Sequence, residues 1–553
     1  MKSLALALAV VLGVPGVARA SGSTTFVPTY TKAYQAAEYT DLGLAPGSMP
    51  LQLAIGLVPR NAAQIPVLLR EMATPGTALS GVSLSAAQTT AMFGQTSANV
   101  RAVEAYLVAQ GFKNVAVSPD ALLVNATGTV ALADAAFATK VDAVKIAGVV
   151  TYANVLAAQV PSSLGGIVAA VEGLSGTTMD AGVRAPLSPA SCTAVPALGR
   201  CVAGALDGNG LRAFYDTANV ASASKTALAI FTAGSVTQFV SDFRAGAAAA
   251  EIAPGRLSIV PTGTASTNAS LLANADLAAQ AALAISGGVS NFVVYVAHGL
   301  GEADLTGSLE RFESRDLEQA ASVPFGICED VAATDGSLFV DDTLLGLAAL
   351  HGQTVFAATG DRLGGCTAHR YPASSPYAVA VGGTTVLGAS AGLPQSGEVA
   401  WTATDGGPSA FEAAPFWQSG IVPAAATAAN LRAVPDLALD GDPNTGMFAI
   451  VNGARTQLGG STLAAALALG IWGRLESAHG NALGFASPRF YHEFADLRTP
   501  ANAQPPANQI EQPIGGFRDL LIGTNGLPAG PEYDFATGLG SLDARLQALD
   551  VTR

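Results

Sequence analysis

The chain has 553 residues, half of them apolar and 12% charged, with a net charge of −14. That composition excludes a disordered chain and allows two or three domains with a sizeable core. The acidic balance excludes nucleic acid or an anionic membrane as the main partner, and no lysine follows Lys225 to serve a phosphate-binding Walker loop.

Residues 1–20 read as a secretory signal peptide. Lys2 gives a positive start, Leu4 to Leu12 an apolar core, and Ala18-Arg19-Ala20 a cleavage site, so a secreted or periplasmic protein is expected, cut after Ala20. No later apolar run is long enough for a membrane span. Residues 21–174 read as a small α+β domain. Strand Leu51–Val58 precedes a helix from Asn61 to about Met72, and a second helix is expected from Ser85 to Gln110. Strands at 121–124 and 129–132 would flank a turn at 125–128, and Ala133 to Lys140 would begin another helix. The stretch 175–200, rich in Ser, Pro, Gly and Thr, reads as a linker.

From residue 201 to 553 the rhythm is strand, glycine turn, helix. Strands are expected at Ala227–Phe231, Asn291–Ala297, Thr354–Ala358 and Tyr377–Val381, with a helix near Ser235–Ala245. Such alternation indicates a parallel sheet covered on both faces, with ligands at the carboxyl ends of its strands. Cys192 and Cys201 bracket a short loop, and Cys328 and Cys366 could pair across the fold. No C-x-x-C or H-E-x-x-H spacing supports zinc. Near the end, Gly459-Gly460-Ser461-Thr462 opens an apolar helix running past Trp472. A helix N-terminus favours developing negative charge, which suits a nucleophile; the same hydroxyls also suit a simple helix cap.

The ordered set of motifs resembles the sedolisins, serine-carboxyl peptidases with a subtilisin-like fold and an N-terminal pro-domain. It comprises Leu51–Val58, Val160-Pro161 and Gly173-Leu174 in the first half. In the second half it comprises Thr359-Gly360-Asp361, Tyr371–Tyr377, Val381–Thr384, Pro415–Gln418, Arg432–Asp436 and Thr537–Gly540. The resemblance implies an α/β fold, a subtilisin-like parallel-sheet catalytic domain (201–553) preceded by a smaller α+β pro-domain (21–174) with a maturation region in 175–200. It implies acid-range hydrolysis of a peptide or protein substrate, with the chain's own pro-domain as an internal partner. In the family a serine attacks, a glutamate takes its proton, one aspartate supports the glutamate and another stabilises the oxyanion. A carboxylate base has a pKa about two units below that of histidine, which suits acid.

Matching these motifs residue by residue puts the supporting aspartate at Asp276, the oxyanion aspartate at Asp361 and the serine position at Thr462, with Ser461 beside it. The glutamate position is Leu272, one turn before Asp276, where no base can act. Pro324, in Ser322–Gly326, replaces a serine on the strand bordering the substrate cleft and cannot donate an N–H there. The resemblance further implies one structural Ca²⁺, held by the carboxylates of Asp519 and Asp534 and the carbonyls of Leu520, Gly530 and Glu532. A peptidase with an altered centre and weak or absent activity is expected. The alternatives are an active enzyme using Thr462 or Ser461 with Asp276, and a calcium-stabilised peptide-binding or regulatory protein.

Overall fold

A computed structural model describes residues 25–551 except 35–38, 147, 189–190, 199, 264–265, 267, 269–270, 363–365, 367–368, 388–396, 424–429, 501, 503 and 506–508. The expected signal peptide and its cleavage site at Ala20 lie outside the described residues.

The N-terminal domain is built on a four-stranded antiparallel sheet in the order Lys113–Val117, Leu123–Thr129, Pro50–Leu57, Val168–Glu172. Alternation along Pro50–Leu57 gives the sheet two different faces. Leu51, Leu53, Ile55 and Leu57 pack with Val103 and Leu107 of the Ser97–Gln110 helix to form this domain's own core. Ala54, on the other face, packs with Leu309, Phe312, Val340 and Leu344 of the second domain. Gly56 shares that face, and a Cβ there would lie 2.3 Å from Val340 Cγ2, so the sheet meets its neighbour through small residues. A second, three-stranded antiparallel sheet joins Tyr39–Leu44, Lys140–Ile146 and Val149–Leu156.

Three expectations fail in this domain. The strand expected at 129–132 is the start of the helix Val130–Ala136, which Thr129 caps by accepting from the Leu132 N–H. The helix expected over 85–110 is two helices, Ala86–Phe93 and Ser97–Gln110: the chain turns extended at Gly94, and Thr96 starts the second helix by accepting from the Asn99 N–H. The turn expected at 125–128 is instead the middle of the strand Leu123–Thr129. Pairing on both sides overrides its turn-like composition.

The second domain carries an eight-stranded sheet. Its order is Arg256–Pro261, Asn291–Ala297, Ala227–Ala233, Ala320–Val323, Thr354–Ala358, Val379–Val386 and Glu398–Ala400, with Leu437–Asp440 also beside Val379–Val386. All pairings are parallel except that of Glu398–Ala400. Helices Leu272–Ser286 and Ser461–Ala478 cover one face, and helices Glu302–Arg315 and Ser337–His351 cover the other. The first pair is buried along almost its whole length, which explains why both sequences are apolar all round. The expected linker carries short strands at Asp180–Ala181, Thr193–Val195 and Arg200–Val202. Disulfides join Cys192 to Cys201 and Cys328 to Cys366.

The two apolar helices touch at Gly470, where a Cβ would lie 2.0 Å from Ile285 Cγ2 and 2.6 Å from the Ala282 carbonyl oxygen. Alanine is the better helix former, but it would have to push one backbone off another. Gly470→Ala should therefore destabilise the protein by about 1–3 kcal/mol, measured as a lower urea midpoint at unchanged m-value.

Candidate active site

The loops at the carboxyl ends of Ala320–Val323 and Thr354–Ala358 meet the start of the Ser461–Ala478 helix. Gly460, with φ of 110°, turns the chain into that helix, and a Cβ there would lie 1.7 Å from the carbonyl oxygen of Gly182 and 2.8 Å from Asp361 Oδ2. Only a glycine allows this approach. The Ser461 N–H donates to Asp361 Oδ1 at 2.8 Å, and the Gly360 N–H donates to Ser461 Oγ at 3.2 Å. Burial pushes Asp361 up to about 6, against the opposing pull of hydrogen bonds from Ser461 and the charge of Arg184, whose Nε lies 3.5 Å from Asp361 Oδ2.

Gly182 and Arg184 belong to the segment between the domains, which crosses the site in extended form. Asp180 and Ala181 pair antiparallel with Gly326 and Phe325. Arg184 exchanges both backbone hydrogen bonds with Gly459, at 3.0 and 2.8 Å. Between these anchors Gly182 faces the hydroxyl of Ser461, since a Cβ on it would lie 2.9 Å from Ser461 Oγ and 3.4 Å from Asp361 Oδ2. Asp180 is further held by Arg370 at 2.9 Å. Pro324 does not prevent this pairing, because the segment pairs with the two residues after it.

Thr462 sits elsewhere. Its hydroxyl donates to the Pro324 carbonyl at 3.0 Å and accepts from Asn274 Nδ2 at 3.1 Å. Asn274 Nδ2 also lies 3.1 Å from the Pro324 carbonyl. Asn274 is two residues from both Leu272 and Asp276, so those side chains point away from the helix face that meets Thr462. Asp276 is buried beside Asp242, and burial followed by the Asp242 charge pushes it up to about 8. Asp242 is itself held by the N–H groups of Asn452 and Gly453 and by Gln238 Nε2. Among the described residues no hydrogen bond joins Asp276 to Ser461 or Thr462. The structure thus brings Asp361 and Ser461 together with Arg184, and it leaves Asp276 and Leu272 apart from both hydroxyls. Arg184, Asn274 and Asp242 were not singled out from sequence; Asn274, in the same helical turn as Leu272, was the one within reach of such reasoning.

At the C-terminal loop, Asp519 Oδ2 accepts from Gln512 Nε2 at 2.7 Å and from the Glu532 N–H at 2.8 Å, while Asp519 Oδ1 is buried without a partner. Asp534 accepts from the N–H groups of Gly530, Ala536 and Thr537. Glu532 has a φ of 65°, and its side chain reaches away to Arg498 at 3.6 Å, leaving only its carbonyl to offer. Among the described residues no three or more His, Cys, Asp or Glu side chains gather as a metal site.

If Arg184 lowers the proton affinity of Asp361, Arg184→Ala should shift the carboxyl titration of Asp361 above about 6, followed by carbon-detected NMR; an unchanged midpoint would remove the ion pair from this account.

A profile of the Pro-kumamolisin activation domain matches residues 37–177. The chain is 31% identical to sedolisin from Pseudomonas sp. (strain 101), over 95% of this chain and 92% of that protein. It is 31% identical to xanthomonalisin from Xanthomonas sp. (strain T-22), over 89% of this chain but only 64% of that longer protein. The solved structure of Pseudomonas sedolisin complexed with two molecules of pseudo-iodotyrostatin superposes with a TM-score of 0.57 at 29% identity, covering 64% of this chain and 99% of that one.

Proposed function

The chain belongs to the sedolisin family of serine-type peptidases, with an N-terminal pro-domain, and from that premise we propose that it is an exported zymogen-form homologue whose altered centre hydrolyses peptide bonds weakly or not at all. The observation that carries this is the state of the Thr462 hydroxyl. At the serine position it is held by the Pro324 carbonyl and the Asn274 amide, neither of which can take its proton. Loss of one member of such a catalytic set costs about 10⁴ to 10⁶ in rate. Two disulfides support export.

A second reading has one specific observation behind it. Ser461, not Thr462, faces the crossing segment and lies against Asp361. Slow cleavage of that segment near Gly182 by Ser461 would follow. The same seating supports retained peptide binding, since the site holds an extended strand between Phe325–Gly326 and Gly459.

Incubation of the full chain near pH 4 with mass analysis separates these readings. The altered-centre reading expects wild type, Ser461→Ala and Thr462→Ala all to stay full length. Cutting between 175 and 200 that Ser461→Ala abolishes and Thr462→Ala spares would overturn it in favour of Ser461, and the reverse pattern would name Thr462.

Oxygen-only donors at Asp519, Asp534 and the carbonyls of Leu520, Gly530 and Glu532 suit Ca²⁺, and the buried, unpartnered Asp519 Oδ1 fits an ion there. Such an ion would tie the strand Phe517–Leu520 to the 530–534 loop. Chelation should lower the melting temperature of wild type, and the shift should vanish in Asp519→Asn; equal shifts in both would argue against this site.

A further inference from the structure

The face that the N-terminal sheet turns to the second domain is apolar except at one end. There Glu172, which ends strand Val168–Glu172, and Asp341 of the Ser337–His351 helix are both fully buried. Between them stands Thr306 of the Glu302–Arg315 helix, with Oγ1 2.7 Å from Glu172 Oε2 and 2.6 Å from Asp341 Oδ1. A hydroxyl carries one proton, so it can donate to only one of these carboxyls. The other contact is a hydrogen bond only if that carboxyl holds a proton and donates it. The junction between the domains is therefore complete only with a protonated acid in it.

The surroundings offer nothing to neutralise a charge. From the N-terminal side come Tyr152, Thr177 (which donates to Glu302 Oε1 at 2.7 Å) and Thr31, whose hydroxyl lies 2.9 Å from the Asp335 carbonyl. From the second domain come Glu302 and Asp335, which share a hydrogen bond carboxyl to carboxyl, and Asp342 beside Asp341; Asp304, farther out, feels His298. Among the described residues no lysine or arginine is ion-paired with Glu172, Glu302, Asp335 or Asp341. One oxygen of each of Glu172 and Asp341 is buried without a hydrogen-bond partner.

We propose that the pro-domain docks on the peptidase domain as a proton-linked assembly: seating it places protons on the Glu172–Thr306–Asp341 contact, so the two domains hold tightly in acid and loosen as the solution becomes neutral. Burial pushes Glu172 and Asp341 well above the carboxylate range, against the opposing pull of the Thr306 hydroxyl; repulsion from Asp341 and Glu302 adds to Glu172, and from Asp342 and Glu302 to Asp341. Burial likewise pushes Asp335 up to about 8. A carboxyl whose docked pKa exceeds its free value stabilises docking fully below the free value, near 4 to 4.5, and that stability is lost as pH rises through the docked value. Undocking lets Glu172, on one domain, and Asp341, on the other, ionise in water.

The inference rests on the reading of residues 37–177 as a pro-domain and is independent of whether Ser461 or Thr462 cleaves anything. Its test uses the full chain in a Ser461→Ala, Thr462→Ala background, so that self-cleavage cannot enter. Hydrogen-exchange protection of strand Val168–Glu172 and helix Glu302–Arg315, corrected for intrinsic rates, is measured from pH 5 to 7.5. Protection should fall by about tenfold or more over that range, and by less than about threefold with Glu172→Gln and Asp341→Asn added. Glu172→Gln alone should give an intermediate slope, which serves if the double substitution fails to fold. Equal slopes with and without the substitutions, or protection that rises toward neutral pH, would overturn the proposal.

Discussion

The packing of helix Ser461–Ala478 against helix Leu272–Ser286, backbone to backbone at Gly470, is the constraint on which the site depends. Both helices are buried almost throughout, so neither can rotate to choose which side chains it shows. That fixed pairing sets Asn274 against Thr462 and turns Asp276 toward Asp242. It also fixes the first N–H of the later helix against Asp361. The two hydroxyls one residue apart consequently have separate surroundings. Ser461 lies with Asp361 and the crossing strand, and Thr462 is enclosed by a carbonyl and an amide.

The polar groups around Ser461 and those around Thr462 and Asp276 therefore stand apart. The Gly360 N–H and the helix start aim fixed dipoles that favour negative charge at Ser461 Oγ and the Asp361 carboxyl. Thr462 faces an amide and a carbonyl, and Asp276 lies beside Asp242 on the far side of its helix. The Asp276–Asp242 pair is therefore better understood as a buried acid pair held by the 452–453 turn than as a relay. Peptide binding and peptide cleavage separate here. Strand pairing at Phe325–Gly326 and Gly459 needs only backbone groups, which substitutions of side chains leave in place.

The sequence made the second domain legible because its buried parallel strands are short apolar runs closed by glycines, and Asn291–Ala297 and Thr354–Ala358 stand where the pattern puts them. Asp361 and the Gly459-Gly460 turn were legible for the same reason, being local motifs at strand and helix ends. The N-terminal domain was less so. Gly128 resembles a turn residue, yet it lies in a strand paired with Leu51, and it is a glycine because the Phe112 ring sits 2.6 Å from where its Cβ would be. At Gly94, where the helix ends, only a glycine fits beneath a carbonyl from residue 120, which no window around residue 94 contains. Arg184 was invisible for a deeper reason: its role comes from pairing with Gly459, 275 residues away, across a segment whose composition reads only as linker.

The two junctions that hold the pro-domain respond to protons in opposite directions. At the site, Arg184 is attracted to Asp361 only while that carboxyl is ionised, so the hold on the crossing segment weakens as pH falls through about 6. At the domain face, Glu172 and Asp341 need a proton between them, so the hold there strengthens over the same fall. Acid would thus free the segment for cutting, by this chain or by another peptidase, while the folded pro-domain stays seated on helices Glu302–Arg315 and Ser337–His351. A return toward neutrality would then separate a domain no longer tethered. The ordering follows from where the charges lie: a cation faces the buried carboxylate at the site, and only other carboxyls, a hydroxyl and apolar surface face those at the interface.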